Sequence, residues 1–242
     1  MFRRIRPILI AALLMLLPLA ASAQSTAVAS TGAAATPALP MINFDTSRPR
    51  PDIDYVVLPS PQPTYGKGRI EVAEVFSYAC IHCAQFQPTV DAWLKKLPKD
   101  VRYEYVPAAF GTVWENFARA FFAARILGVQ ERTHDAVFKA IHFEHTVKSP
   151  SPEDIADWYS SRGADRGKFL ATMSSPQVDA MVDAARQFAA RTGVEFTPTI
   201  IVAGKYRVLV TADRGFDGML ATVDYLLGLE HAQAGKPVAK KH

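Results

Sequence analysis

Only two cysteines occur in the 242 residues, Cys80 and Cys83, and two residues separate them. That spacing places both sulfurs within one helical turn, close enough to form and break one disulfide. The pair follows an apolar run over residues 72–78 and precedes a stretch of helical periodicity. A strand must therefore deliver the two thiols to the start of a helix. Taken alone, the pair is compatible with redox chemistry, with half of a metal site, or with a static staple. The staple is weakly motivated, because a disulfide closing so short a loop restricts the unfolded chain little.

The N-terminus reads as an export signal. Arg3, Arg4 and Arg6 precede an apolar stretch over residues 8–19, and Ala21-Ser22-Ala23 supplies a small-x-small cleavage site. Cleavage after Ala23 is expected, and the apolar stretch is short for a membrane span. Export places the chain where disulfides persist. The 27 basic residues less these three arginines leave 24 against 23 acidic ones, a mature net charge of +1. No basic stripe with interleaved aromatics is present, so nucleic acid is not an expected partner. Residues 24–40 are mostly Ala, Ser, Thr and Pro without periodicity, as a disordered linker should be, and the chain from residue 232 is similar.

Between these ends the pattern predicts strands over 55–58 and 70–77. From Val72 to Phe76 the second is apolar on both faces apart from Glu74, as a central strand would be. From Cys83 onward Phe86, Val90, Trp93, Leu94 and Leu97 share one helical face, with Pro88 expected to kink the helix and Pro98 to end it. Residues 101–106 alternate like a strand. Residues 114–192 read as helices only, with Ser151-Pro152 and Ser175-Pro176 as helix starts and Gly193 as a stop. Strands return at 199–202 and 206–210 around an Ala203-Gly204-Lys205 turn, and a helix over 216–227 closes the fold. An all-helical block between two α/β parts suggests insertion of one domain into another.

This order, with its cysteine pair, resembles the thioredoxin superfamily and, more closely, the bacterial periplasmic DsbA family of thiol–disulfide oxidoreductases. The resemblance spans roughly residues 48–230. The segment 74–83, Glu-Val-Phe-Ser-Tyr-Ala-Cys-Ile-His-Cys, is similar to the family's Glu-Phe-Phe-Ser-x-x-Cys-Pro-His-Cys. Pro88 stands where thioredoxins carry a kinking proline. The segment 193–199, Gly-Val-Glu-Phe-Thr-Pro-Thr, looks like the family's cis-proline loop. The resemblance implies an α/β thioredoxin fold with an inserted all-helical domain. Its parts would be a signal peptide (1–23), a linker (24–47), thioredoxin-fold segments (48–110 and 193–231), the helical insertion (111–192) and a flexible tail (232–242). This sequence departs from the family at Ile81, where proline is common, and at Gln87, where some members carry a second acid. Thr197 is more like the residue of disulfide isomerases and reductases.

Cys80, at a helix N-terminus, is expected to be the nucleophile. Unpaired N–H groups, the helix dipole and a protonated His82 would each lower its pKa. A stabilised thiolate makes a readily reduced, oxidising disulfide, a link that DsbA itself exemplifies. Cys83, nearer the core, would be its redox partner. The resemblance makes Glu74 a buried proton acceptor below the cysteines. Pro198 would be cis, with the Thr197 backbone offered to an extended substrate peptide. Partners implied are reduced exported client proteins and a membrane quinone-linked, DsbB-like reoxidising protein; a monomer and no cofactor are expected. A second function, isomerase or reductase, stays open, as does an exported binding module with an incidental disulfide. His142, Glu144 and His145 form the only other ligand-like cluster and read as solvated residues at a helix end. A c-type haem would need histidine after Cys83, where Ala84 stands.

Overall fold

The structure is a computed structural model that describes residues 48–68 and 70–235. The expected signal peptide, the linker over 24–47 and residues 236–242 of the expected tail lie outside the described residues.

A five-stranded sheet runs in the order β1-β5-β4-β2-β3. Its strands are β1 (Tyr55–Val57), β2 (Ile70–Phe76), β3 (Val101–Pro107), β4 (Thr199–Val202) and β5 (Tyr206–Val208). β2 is flanked on both sides, parallel to β3 and antiparallel to β4. That position explains its near-continuous apolar sequence, since both faces of the strand are covered. The helix α1 (Ile81–Leu94) connects β2 to β3 and runs on through Pro88. Between β3 and β4 come α2 (Thr112–Ile126), α3 (Gln130–His142), α4 (Pro152–Ser160), α5 (Arg166–Met173) and α6 (Pro176–Arg191); α7 (Gly215–Ala234) ends the fold.

Local chemistry sets the helix boundaries. The Asp154 N–H donates to Ser151 Oγ at 3.1 Å and the Val178 N–H to Ser175 Oγ at 3.3 Å, each followed by a proline at the first helical position. The β4–β5 turn needs two residues with positive φ, Ala203 at 51° and Gly204 at 66°. The carbonyl of Gln62 approaches Gly204 so closely that a Cβ would stand 2.1 Å from its oxygen. Two boundaries differ from the pattern. α7 spans Gly215–Ala234, longer than the expected 216–227 and reaching into the expected tail from residue 232. β5 ends at Val208, where its pairing with β1 and β4 ends.

Two apolar clusters hold these layers. One joins Val72, Phe86, Val90 and Ile200 to Leu220, Val223 and Leu227 of α7. The other joins Ala73, Val75 and Phe76 of β2 to Phe121, Phe138, Ile155, Val182 and Phe188 from the inserted helices. Alternation along β2 sends Ala73 and Val75 to the opposite face from Val72 and Glu74. Phe76 is fully buried and meets Tyr78, Tyr105, Phe121, His134 and Phe138 edge to face, at ring separations of 5.3–6.0 Å.

Candidate active site

β2 ends at Phe76, and a tight turn carries the chain into α1. The Cys80 N–H donates to the Ser77 carbonyl at 3.0 Å, and the Ala79 N–H to Ser77 Oγ at 3.1 Å. Helix α3 holds this turn from the side. His142 Nε2–H donates to the Tyr78 carbonyl at 2.7 Å, and the Tyr78 hydroxyl lies 2.8 Å from His134 Nδ1. His142 is thus part of the active-site scaffold and not a solvated residue. His134 is buried among aromatic rings, and burial pushes its pKa down to about 3, so it is neutral.

Cys80 is the N-cap of α1, with extended backbone at φ −93° and ψ 114°. Its sulfur occupies the place where serine or aspartate would accept the helix's first N–H groups. As a thiol it makes no capping hydrogen bond. As a thiolate it faces donors, and its pKa is lowered from 9.0 to about 5. The Cys83 thiol is the largest cause, opposed by burial; contacts from Thr197 and from the Cys83 and His82 N–H groups add to the lowering. His82 acts here through its backbone; its imidazole is exposed and makes no hydrogen bond among the described residues. Cys83 lies one turn in and is 1% exposed. Burial and the hydrogen bond to Cys80 push its pKa well above 9.0. One sulfur therefore favours the anion and its neighbour the proton.

The loop before β4 closes the site. The Thr197–Pro198 bond is cis, and the Cys80 thiol donates to the Thr197 carbonyl at 3.4 Å. The Thr197 hydroxyl is buried with no hydrogen-bond partner among the described residues. Gly193, at φ 66°, begins the loop; the Arg207 guanidinium, bonded to the Thr192 and Gly193 carbonyls, occupies the space that a Cβ would need. Ile81, next to Cys80 in the chain, and Phe196, next to Thr197, are 37% and 47% exposed.

Glu74, below the cysteines, is 2% exposed and lies between Tyr105 of β3 and Ile200 of β4. Tyr103 Oη–H donates to Glu74 Oε2 at 2.5 Å. Burial raises the Glu74 pKa from 4.5 to about 8, the tyrosine opposes that rise, and the Cys80 charge adds to it. Gln87 is 5% exposed and donates to Tyr105 Oη and to Asp91 Oδ1, both at 2.9 Å. Tyr103, Asp91 and His134 escaped the sequence reading, because nothing local ties them to the cysteines.

Residues 64–224 match the Thioredoxin family. The thiol:disulfide interchange protein DsbA of Pseudomonas aeruginosa is 40% identical over 183 residues, covering 76% of this chain and 86% of that protein. This chain belongs to the DsbA family. The DsbA of Azotobacter vinelandii is 36% identical over 178 residues, 74% of this chain and 83% of that protein. The crystal structure of the Pseudomonas aeruginosa DsbA superposes with a TM-score of 0.72 at 39% identity, covering 77% of this chain and 97% of that one. The oxidoreductase DsbA from Xylella fastidiosa gives 0.70 at 41%, covering 74% and 96%. The fold is accordingly a thioredoxin fold with an inserted helical domain, and the activity is that of a DsbA-type thiol–disulfide oxidoreductase.

Proposed function

We propose that the protein is exported to the periplasm and donates the Cys80–Cys83 disulfide to newly exported proteins. The observation that carries this reading is the unequal pair, with Cys80 at the helix N-cap favouring the thiolate and Cys83 behind it favouring the thiol. A client thiolate attacks Cys80, the accessible end of the disulfide, and Cys83 leaves. A second client thiolate then attacks the mixed disulfide, releasing Cys80 as its stable thiolate. Because that leaving thiolate is stabilised, the exchange runs toward oxidised client.

In this reading Glu74 supplies the proton that the departing Cys83 takes up, as its raised pKa and full burial suit it to do. Thr197 and Pro198 hold an extended client segment beside Cys80. His82 contributes through its N–H group. Residues 1–23 are removed on export, 24–47 form a linker, 111–192 form the helical insertion, and the protein acts as a monomer. A membrane quinone-linked, DsbB-like protein takes the electrons from the reduced pair.

Measuring the reduction potential of the pair, with oxidation of a reduced unfolded substrate and rescue of a scrambled one, tests the direction of the chemistry. An oxidising potential with strong oxidase activity is expected. Efficient unscrambling with weak oxidation would instead favour an isomerase, the reading to which Thr197 leans. A Cys80→Ser variant that retains exchange activity would defeat the nucleophile assignment.

A further inference from the structure

Glu74 is nearly inaccessible, yet in the reduced protein both it and Cys83 hold a proton near neutral pH, so one proton must enter from solvent when the disulfide opens. Its carboxyl has one hydrogen-bond partner among the described residues, the Tyr103 hydroxyl at 2.5 Å. β4 offers only Ile200 opposite it. Tyr103 also lines a cavity of about 610 Å³ where α1, β3, α2 and α3 meet. Tyr103 therefore bonds the buried carboxyl through its hydroxyl and, as a residue, also lines the open space.

The cavity is polar toward its mouth. Gln87 bridges Tyr105 Oη and Asp91 Oδ1 at 2.9 Å each, and both residues line the cavity with Tyr103. Asp91 on α1 faces Asp135 on α3, and Asp135 is exposed. Burial and the neighbouring Asp91 raise the Asp135 pKa, so Asp135 holds its proton more readily than a lone aspartate does. Glu104, Arg125 and Glu131 complete the charged lining, with neutral His134 behind them. A space of this size and polarity suits ordered water.

We propose that Tyr103 is the proton gate of Glu74, its hydroxyl relaying protons between the buried carboxyl and the α1–α3 cavity, whose outer station is the Asp91–Asp135 pair. The proposal rests on the assignment of Glu74 as the acid–base group for Cys83. When a client thiolate opens the disulfide, the S–S electron pair leaves on Cys83 as a thiolate. Glu74 gives that sulfur its proton and becomes a carboxylate. Tyr103 passes its hydroxyl proton to the carboxylate while taking one from cavity water. One proton thus moves from solvent to Cys83, with no electron, and the reverse path returns it when the pair is reoxidised. Tyr103 is neutral before and after. Burial and nearby Glu74 hold its own pKa well above 10.0, so the relay must be concerted and does not pass through a free tyrosinate. Tyr103 acts through Glu74 and is a positioning residue.

The test is Tyr103→Phe, which keeps the ring against Trp93 and Tyr105 and removes only the hydroxyl. Disulfide transfer to a reduced peptide should slow by about tenfold or more, the scale on which positioned proton transfer acts. The carboxylate also loses its donor, so the Glu74 midpoint in the pH–rate profile should move above 8. An unchanged rate and midpoint would overturn the gate. Glu74→Gln separates the two readings: if it too changes nothing, the assignment of Glu74 itself has failed. If only Tyr103→Phe is silent, the gate alone has failed. Asp135→Asn, at an exposed position, tests the outer station. Proton uptake, followed with a pH indicator, should lag behind disulfide opening; uptake that stays synchronous removes Asp91–Asp135 from the path.

Discussion

Replacing Glu74 by glutamine should stabilise the protein near neutral pH while disabling part of its chemistry. Glutamine keeps the shape and can accept the Tyr103 hydrogen bond, so the change isolates the ionisation. In the folded protein the carboxyl holds its proton up to about 8, against 4.5 for the free group. The unfolded chain releases that proton from pH 4.5 upward, so wild-type stability is complete below 4.5 and falls as pH rises toward 8. At about 1.4 kcal/mol per unit, the 2.5 units between 4.5 and pH 7 cost the wild type about 3 kcal/mol. Denaturant unfolding of both proteins at several pH values from 4 to 9 measures this directly. The variant's advantage should be near zero at pH 4, grow through neutrality and level off above 8. The Cys80 charge contributes to the shift, so the advantage should be larger in the reduced protein than in the oxidised one. An advantage independent of pH, or a wild type that gains on the variant as pH rises, would refute the argument.

Thiolate absorbance of the reduced protein should titrate with a midpoint of about 5, and a midpoint near 9 would remove the basis for an activated Cys80. Because that pKa is depressed, the stability it gives the reduced protein should be full above pH 9 and lost as pH falls through 5. Ile81→Pro at the first position of α1 should leave the fold stable to within about 1 kcal/mol, since proline suits that position, and calorimetry checks it. Phe121→Ala, in the fully buried aromatic cluster, should cost about 3–5 kcal/mol in denaturant unfolding.

Much of the site was legible because its parts announce themselves locally. Cys80 and Cys83 carry their spacing, Glu74 is an acid in an apolar strand, and Pro198 sits in a recognisable loop. Their partners carry no such mark. Tyr103 reaches Glu74 through the parallel pairing of β2 with β3, in which Val72 faces Tyr103 and Glu74 faces Tyr105. His134 and His142 reach Tyr78 across 56 and 64 residues through the packing of α3. Asp91 and Asp135 meet only because α1 and α3 are neighbours. The end of α7 was less legible: the apolar stripe reads as a helix over 216–227, but Leu226 and Leu227 are buried and the helix runs on past them through Gly228. Tertiary burial overrode a local preference there.

The cluster that joins Ala73, Val75 and Phe76 to the inserted helices has a consequence for engineering. One strand delivers the thiols and also supplies part of the floor on which the helices rest. Excising the insertion would strip a sheet face of its cover, and a transplanted insertion from a relative would have to match Ala73 and Val75 in shape. The two regions should melt in a single transition, with amides of β2 and α2 exchanging at comparable rates. Surface loops of the insertion are free to vary, while the face turned toward β2 stays tied to the redox strand.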